Sequence, residues 1–165
     1  MGSGSEEAPD RRPRVSSRRK RAGDVMAGYS GTPLPEKLGI RPGSRLLVVD
    51  APDGWLGRVL AVPAGVTLTD LRARSADVIL AFASSRAALA ARWAQVLARL
   101  PADGALWVAW PKRASGVATD LTEDVVRDVA LPDGLVDVKV AALDETWSGL
   151  KLVVRRTSRD RWRGG

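Results

Sequence analysis

At 165 residues the chain has room for one domain of ordinary size, and its 45% hydrophobic content is enough for a buried core. It contains no cysteine and no histidine, which excludes disulfides, thiolate nucleophiles, Cys/His zinc sites and imidazole general bases. The net charge of +7 is uneven: residues 1–25 carry seven Lys/Arg against four Asp/Glu, residues 151–165 six against one, and residues 26–150 thirteen against fourteen.

Residues 1–27 read as a disordered basic tail, rich in Gly, Ser, Pro and charge, with the block RRPRVSSRRKR at 11–21. Two readings stay open for it: a solvated extension, or a tether for nucleic acid or another acidic partner. No apolar run approaches the ~18 residues of a membrane span, and no apolar stretch of signal-peptide type follows the basic N-terminus. The expectation is a cytoplasmic protein with no membrane partner.

The domain is expected over 28–156. EKLGIRPG (36–43) predicts a short helix ending at Gly39, then a turn. RLLVVD (45–50) is a near-continuous branched apolar run, the pattern of a strand buried on both faces of a parallel sheet. DGWLGRVL (53–60) predicts a short helix, VTLTD (66–70) a short strand and ADVILAFA (76–83) a second buried strand. Leu89, Trp93, Val96, Leu97 and Leu100 form one apolar stripe, so 85–100 is a helix that Ser84 or Ser85 can cap. ALWVAW (105–110) is a strand. A further helix runs over 121–130, with Asp120 and Glu123 at capping-box spacing. The strands 135–143 and 149–156 are joined by DETWS, short enough for an antiparallel hairpin. Residues 157–165 read as a basic C-terminal tail. Strands alternating with helices give the fold class: α/β, Rossmann-like, a mostly parallel open sheet with helices on both faces and a C-terminal antiparallel hairpin.

The run RPGSRLLVVD, the strand ADVILAFA with the helix after it, LPADGALWVAW and the closing hairpin together resemble the catalytic domain of S-adenosylmethionine-dependent methyltransferases. More closely, AGYSGTPLPEKLGIRPGSRLLVVDAP, ALWVAWPKRASGVATDLTEDVVRDVAL and LVDVKVAALDETWSGLKLVVRR resemble an actinobacterial family known as domain of unknown function 3052. The resemblance covers most of 27–156 and implies a fold, with no assigned activity to carry over. It also implies a Gly-rich turn after the first strand, where backbone approaches the cofactor, and an acid ending the second strand that holds its ribose. Asp70 stands in the second place. The turn is Ala51-Pro52-Asp53-Gly54-Trp55, in which Gly54 alone is permissive and Pro52 lacks a donor. The region between the first and third strands is short by at least one strand-helix unit. The expectation is that no cofactor is held in the standard way.

In open parallel sheets ligands bind beyond the carboxyl ends of the strands, which here means loops 50–55, 83–86, 111–120 and 144–148. The candidate ligand-binding residues are Asp50, Gly54, Trp55, Asp70, Ser84, Trp110, Lys112, Arg113, Asp144, Glu145 and Trp147. Each also has an ordinary structural reading. Trp110 ends a buried strand and suits the core. Lys112 and Arg113 are either a solvated loop or an anion clamp. Asp70 suits a strand end, Asp120 a helix cap, and Asp144 with Glu145 a turn. Trp147 either folds back on its neighbours or meets a ligand or partner. The expected role is a binding or regulatory module for a small anionic ligand or a protein partner. An enzyme acting on a nucleotide-like ligand, and nucleic-acid binding through the tails, are the alternatives.

Overall fold

The three apolar runs become the centre of a sheet. In a computed structural model, which describes residues 31–164, β1 (Arg45–Val49), β3 (Val78–Phe82) and β4 (Ala105–Pro111) lie side by side and parallel. All five residues of β3 are buried, as expected of a strand covered on both faces. The predicted tail 1–27 falls outside the described residues. The compact unit containing the sheet runs from Leu34 to Gly165.

The six strands stand in the order β2-β1-β3-β4-β6-β5. The short edge strand β2 (Thr67–Thr69) is parallel to β1. At the other side β6 (Trp147–Val154) inserts antiparallel between β4 and β5 (Leu135–Ala142). The DETWS joint is too short for a crossover, so the hairpin closes antiparallel as the sequence predicts.

One face of the sheet is covered by α3 (Arg86–Leu97) and α4 (Glu123–Ala130), which contribute Leu89, Val96, Val126 and Ala130 to the core. Ser85 caps α3, its side chain accepting from the Ala88 N–H. On the opposite face lie the single turn α1 (Leu34–Lys37) and an irregular segment that buries Trp55 and Leu60 against Leu46, Leu80 and Trp107. Gly149 on β6 makes room for Trp107, whose ring an added Cβ would meet at 3.1 Å.

Three sequence expectations are corrected. The helix read at 53–60 is only α2 (Trp55–Arg58), and its interior is not helical: Leu56 has ψ 134° and Gly57 φ 90°. Glycine at 57 lets the chain turn back so that Trp55 and Leu60 both reach the core. Asp120 does not cap α4; Thr122 does, accepting from the Val125 N–H, and Asp120 instead accepts from the Arg86 N–H at 2.7 Å. The segment read as a polar tail after 156 forms a 3-10 helix over Arg156–Arg161, and Trp162 docks, its indole N–H donating to the Leu100 carbonyl at 2.6 Å.

Candidate functional site

The carboxyl edge of the sheet is where β1, β3 and β4 end, at Val49, Phe82 and Pro111. The chain leaves β1 for β2 on one side, while β3 leads to β4 on the other. The strand order therefore reverses between β1 and β3, which is where open α/β sheets bind ligands.

Asp50 stands at that point with φ 58°, the one positive-φ residue other than glycine among the described residues. Aspartate tolerates the left-handed region better than most residues, yet the conformation still carries strain. Arg92 of α3 holds it bidentately: Nε donates to Oδ2 at 2.9 Å and Nη2 to Oδ1 at 3.2 Å. The carboxylate raises the Arg92 pKa through this hydrogen bond and through charge. Beside the pair is a recess of about 240 Å3 lined by Asp50, Phe82, Ala83, Ser84, Ala88 and Trp147.

An aromatic ladder closes the recess from below. Trp55 meets Phe82 edge-on with ring centroids 4.8 Å apart, and Phe82 meets Trp147 the same way at 5.0 Å. Such edge-to-face pairs add to the area they bury. Trp55 is fully buried, and its indole N–H donates to Asp144 Oδ2 at 3.0 Å. The other Asp144 oxygen accepts from the Thr146 and Trp147 N–H groups, forming the hairpin turn. Asp144 thus ties the turn after β1 to the turn before β6. Trp147 is half-buried, folded back on Phe82 with one side on the recess.

Beyond β4 the loop to α4 forms a larger groove of about 610 Å3. Trp110, Val117 and Leu121 give it apolar wall, and Arg113, Thr119, Thr122 and Glu123 give it polar groups. Trp110 is 6% exposed, so it serves both core and groove. Glu123 is engaged by Arg127 at 2.6 Å. The Thr119 hydroxyl accepts from the Leu121 N–H and the Thr122 hydroxyl from Val125. Arg113 is exposed and forms no ion pair with the other described residues.

The remaining predicted residues lie apart from these cavities. Lys112 is half-buried, and its backbone N–H donates to the Thr146 carbonyl at 2.7 Å; it lines neither cavity. Gly54, at φ 75°, supplies the left-handed turn before Trp55. Glu145 is exposed in the hairpin turn. Asp70 does end β2, but Arg72 occupies it: the Arg72 backbone N–H donates to Oδ1 at 2.9 Å and the guanidinium to Oδ2 at 3.0 Å. That hydrogen bonding holds the Asp70 carboxyl below its ordinary range. Sequence reasoning missed Arg92, because its partner is 42 residues away, and missed Phe82 as the middle rung of the ladder. Among the described residues no group of three or more carboxylates could hold a metal ion, and no helix is long and apolar enough to cross a membrane.

No protein-family model and no curated protein matches the chain. Solved structures do. A protein from Sulfolobus solfataricus assigned as a type 11 methyltransferase aligns with 74% of this chain and 89% of its own, at 15% identity and a TM-score of 0.52. The fibrillarin pre-rRNA processing protein of Methanococcus jannaschii aligns over 81% of this chain and 70% of its own, at 10% identity and 0.47. Fibrillarin of Aeropyrum pernix, whose structure holds natively bound S-adenosylmethionine, aligns over 76% and 70%, at 18% identity and 0.41. The fold is the methyltransferase-like Rossmann fold, and the first of these likenesses shows it.

Against that fold, the residues at the switch point do not fit the methyl-donor cofactor. The recess of about 240 Å3 lies below the roughly 300–1,000 Å3 of small-molecule sites. The turn that would bring backbone donors to a ligand contains Pro52, which has none, and Trp55 of the same turn is sunk into the core. Both Asp50 oxygens are taken by Arg92.

Proposed function

We propose that this domain is a non-catalytic binding module on a methyltransferase-like scaffold, taking a small anionic ligand in the groove beside Trp110. The observation that carries the reading is the contrast between the two cavities. The recess at the switch point is small, about 240 Å3, and its Asp50 carboxylate is held by Arg92, whereas the groove offers about 610 Å3 and presents Arg113, a cation with no ion pair among the described residues. Arg113 supplies charge-assisted hydrogen bonds to a carboxylate or phosphate, and Trp110, Val117 and Leu121 supply apolar contact.

Proton transfer finds little support in the groove. Its one carboxylate, Glu123, is bound to Arg127, the Thr119 hydroxyl accepts from the Leu121 N–H, and the Thr122 hydroxyl caps α4. The chain has no imidazole or thiol to take their place. Kinship with the domain of unknown function 3052 family is part of this proposal and rests on the three stretches quoted above.

The test is native mass spectrometry of the full chain purified from its own host, with Arg113→Ala alongside. A retained small anion that disappears from a folded Arg113→Ala variant is the expected result. Retained S-adenosylmethionine, or methyl transfer from it, would overturn the reading in favour of an enzyme.

A further inference from the structure

A second concentration of charge lies away from the carboxyl edge, on the α1 face of the sheet. Lys139 of β5 and Lys151 of β6 are directly paired across the two strands. Lys151 is in turn the partner of Trp107 on β4, three residues and roughly 10 Å back along β4 from Trp110. The Lys139 ammonium sits 5.9 Å from the centre of the Trp107 ring. The Trp107 indole N–H donates to the Leu38 carbonyl at 3.1 Å, which brings the segment after α1, with Arg41, to the same place. Lys151 is half-buried, and its burial together with the charges of Lys139 and Arg41 lowers its pKa.

Like charges directly opposite on neighbouring strands destabilise a sheet, and folds normally place a carboxylate between them. Here none does. The ion pairs of the described residues lie elsewhere, at Asp70–Arg72, Asp50–Arg92 and around Arg127. Trp107 offers Lys139 a ring face, which attracts a cation weakly and does not neutralise it. Three cations therefore share one spot on the surface with no counter-charge from the described residues.

We propose that Arg41, Lys139 and Lys151 form a binding site for a phosphate group, distinct from the groove beside Trp110. A phosphate neutralises the mutual repulsion of the three cations and accepts hydrogen bonds from all of them. Trp107 is fully buried, so it offers no platform on which a base could stack. Recognition rests on charge and on the phosphate oxygens, whether the phosphate is free, terminal on a small molecule, or part of a nucleic-acid backbone.

The experiment uses the full chain. Melting temperature is compared in sodium phosphate and in sodium chloride at matched ionic strength, and phosphate binding is measured by calorimetry. Phosphate should raise the melting temperature, since a ligand that binds only the folded state stabilises it. In Lys139→Gln/Lys151→Gln that rise should vanish and the affinity should fall at least ~tenfold. Arg41→Gln, which leaves the sheet untouched, should lose a similar share. All of these are compared in the Arg113→Ala background, so that phosphate taken by the groove does not contribute to the difference. An equal melting temperature in the two salts, or a phosphate effect that survives when both lysines are replaced, would overturn the proposal. Pyrophosphate and a single-stranded oligodeoxythymidylate, titrated in parallel, identify the source. A backbone source binds more tightly per molecule with a steep salt dependence that needs the lysines; a small-molecule source favours pyrophosphate with the same lysine requirement.

Discussion

The hydrogen bond between Trp55 and Asp144 should be the principal tie between the first strand's turn and the closing hairpin. Trp55→Phe keeps an aromatic ring against Phe82 but removes the N–H that reaches Asp144 Oδ2 at 3.0 Å. A hydrogen bond to a charged group contributes about 1.5–3 kcal/mol. The ring lost from a fully buried site adds roughly 1–2 kcal/mol, so the variant should lose about 2.5–5 kcal/mol. Asp144→Asn strikes the other partner. Its single oxygen can serve the Thr146 and Trp147 N–H groups or the indole N–H, and the amide nitrogen then faces a donor. A loss of about 1.5–3 kcal/mol follows. Both variants remove one bond, so the double variant should lose about 1–2 kcal/mol less than the sum. Urea unfolding followed by far-ultraviolet circular dichroism measures all four proteins of the cycle. Additivity within ~0.5 kcal/mol would show that the two groups do not depend on each other and would refute the reasoning.

Four further outcomes are expected. S-adenosylmethionine titrated into the full chain should give weak or no heat, and low-micromolar affinity would reopen the recess at Asp50 as a cofactor site. Asp50→Gly should be near-neutral, since relief of the φ 58° strain offsets an ion pair whose partners are each close to half exposed, whereas Asp50→Ala should lose about 1–2 kcal/mol; equal losses in chemical unfolding would show that the backbone carries no strain. Trp162→Ala should cost about 2–3 kcal/mol, less than a fully buried tryptophan, because its N–H bond to Leu100 and its core contact are lost together; an unchanged melting temperature would show the segment undocked. The folded chain binds the Lys151 proton less tightly than the unfolded one, so stability should rise as pH climbs from the lowered pKa toward the ordinary lysine value. In Lys151→Met that rise should be flattened, and an identical pH profile would argue against the lysine as its source.

What could be read from sequence was whatever depended on local pattern. The apolar runs at 45–50, 76–83 and 105–110 announced a buried parallel sheet because strands covered on both faces cannot alternate. The serine pair Ser84 and Ser85 announced the start of α3, with Ser85 the one that caps it, and the five-residue joint DETWS announced the antiparallel pair. Failures came where a local pattern had two solutions. The run DGWLGRVL reads as a short helix, but Gly57 at φ 90° turns the chain so that Trp55 and Leu60, which a helix would set about 140° apart, are both buried. Asp120 has capping-box spacing to Glu123, yet its carboxylate found the Arg86 N–H in another helix, and Thr122 took the cap. The carboxyl edge was located by the fold rule, while its internal arrangement was hidden, because Asp50–Arg92 and Trp55–Asp144 join residues 42 and 89 positions apart.

The small recess at the switch point follows from how the sheet face is covered. In a βαβ unit a regular helix follows the first strand, covers the sheet and leaves the turn before it free to present backbone donors. Here residues 50–66 connect β1 to β2 with no regular helix, and only residues 70–77 connect β2 to β3. The apolar face over Leu46, Leu80 and Trp107 must still be kept from water. Trp55 and Leu60 do this from within the turn itself, assisted by α1 and Ile40. Residues committed to the core cannot also approach a ligand, and this holds for Trp55 and Leu60. The Asp144 hydrogen bond then fixes that turn in its inward position. The groove beside Trp110 is free of this conflict, since α4 covers its part of the sheet with Val126 and Ala130 and leaves the loop from Arg113 to Thr122 exposed along much of its length.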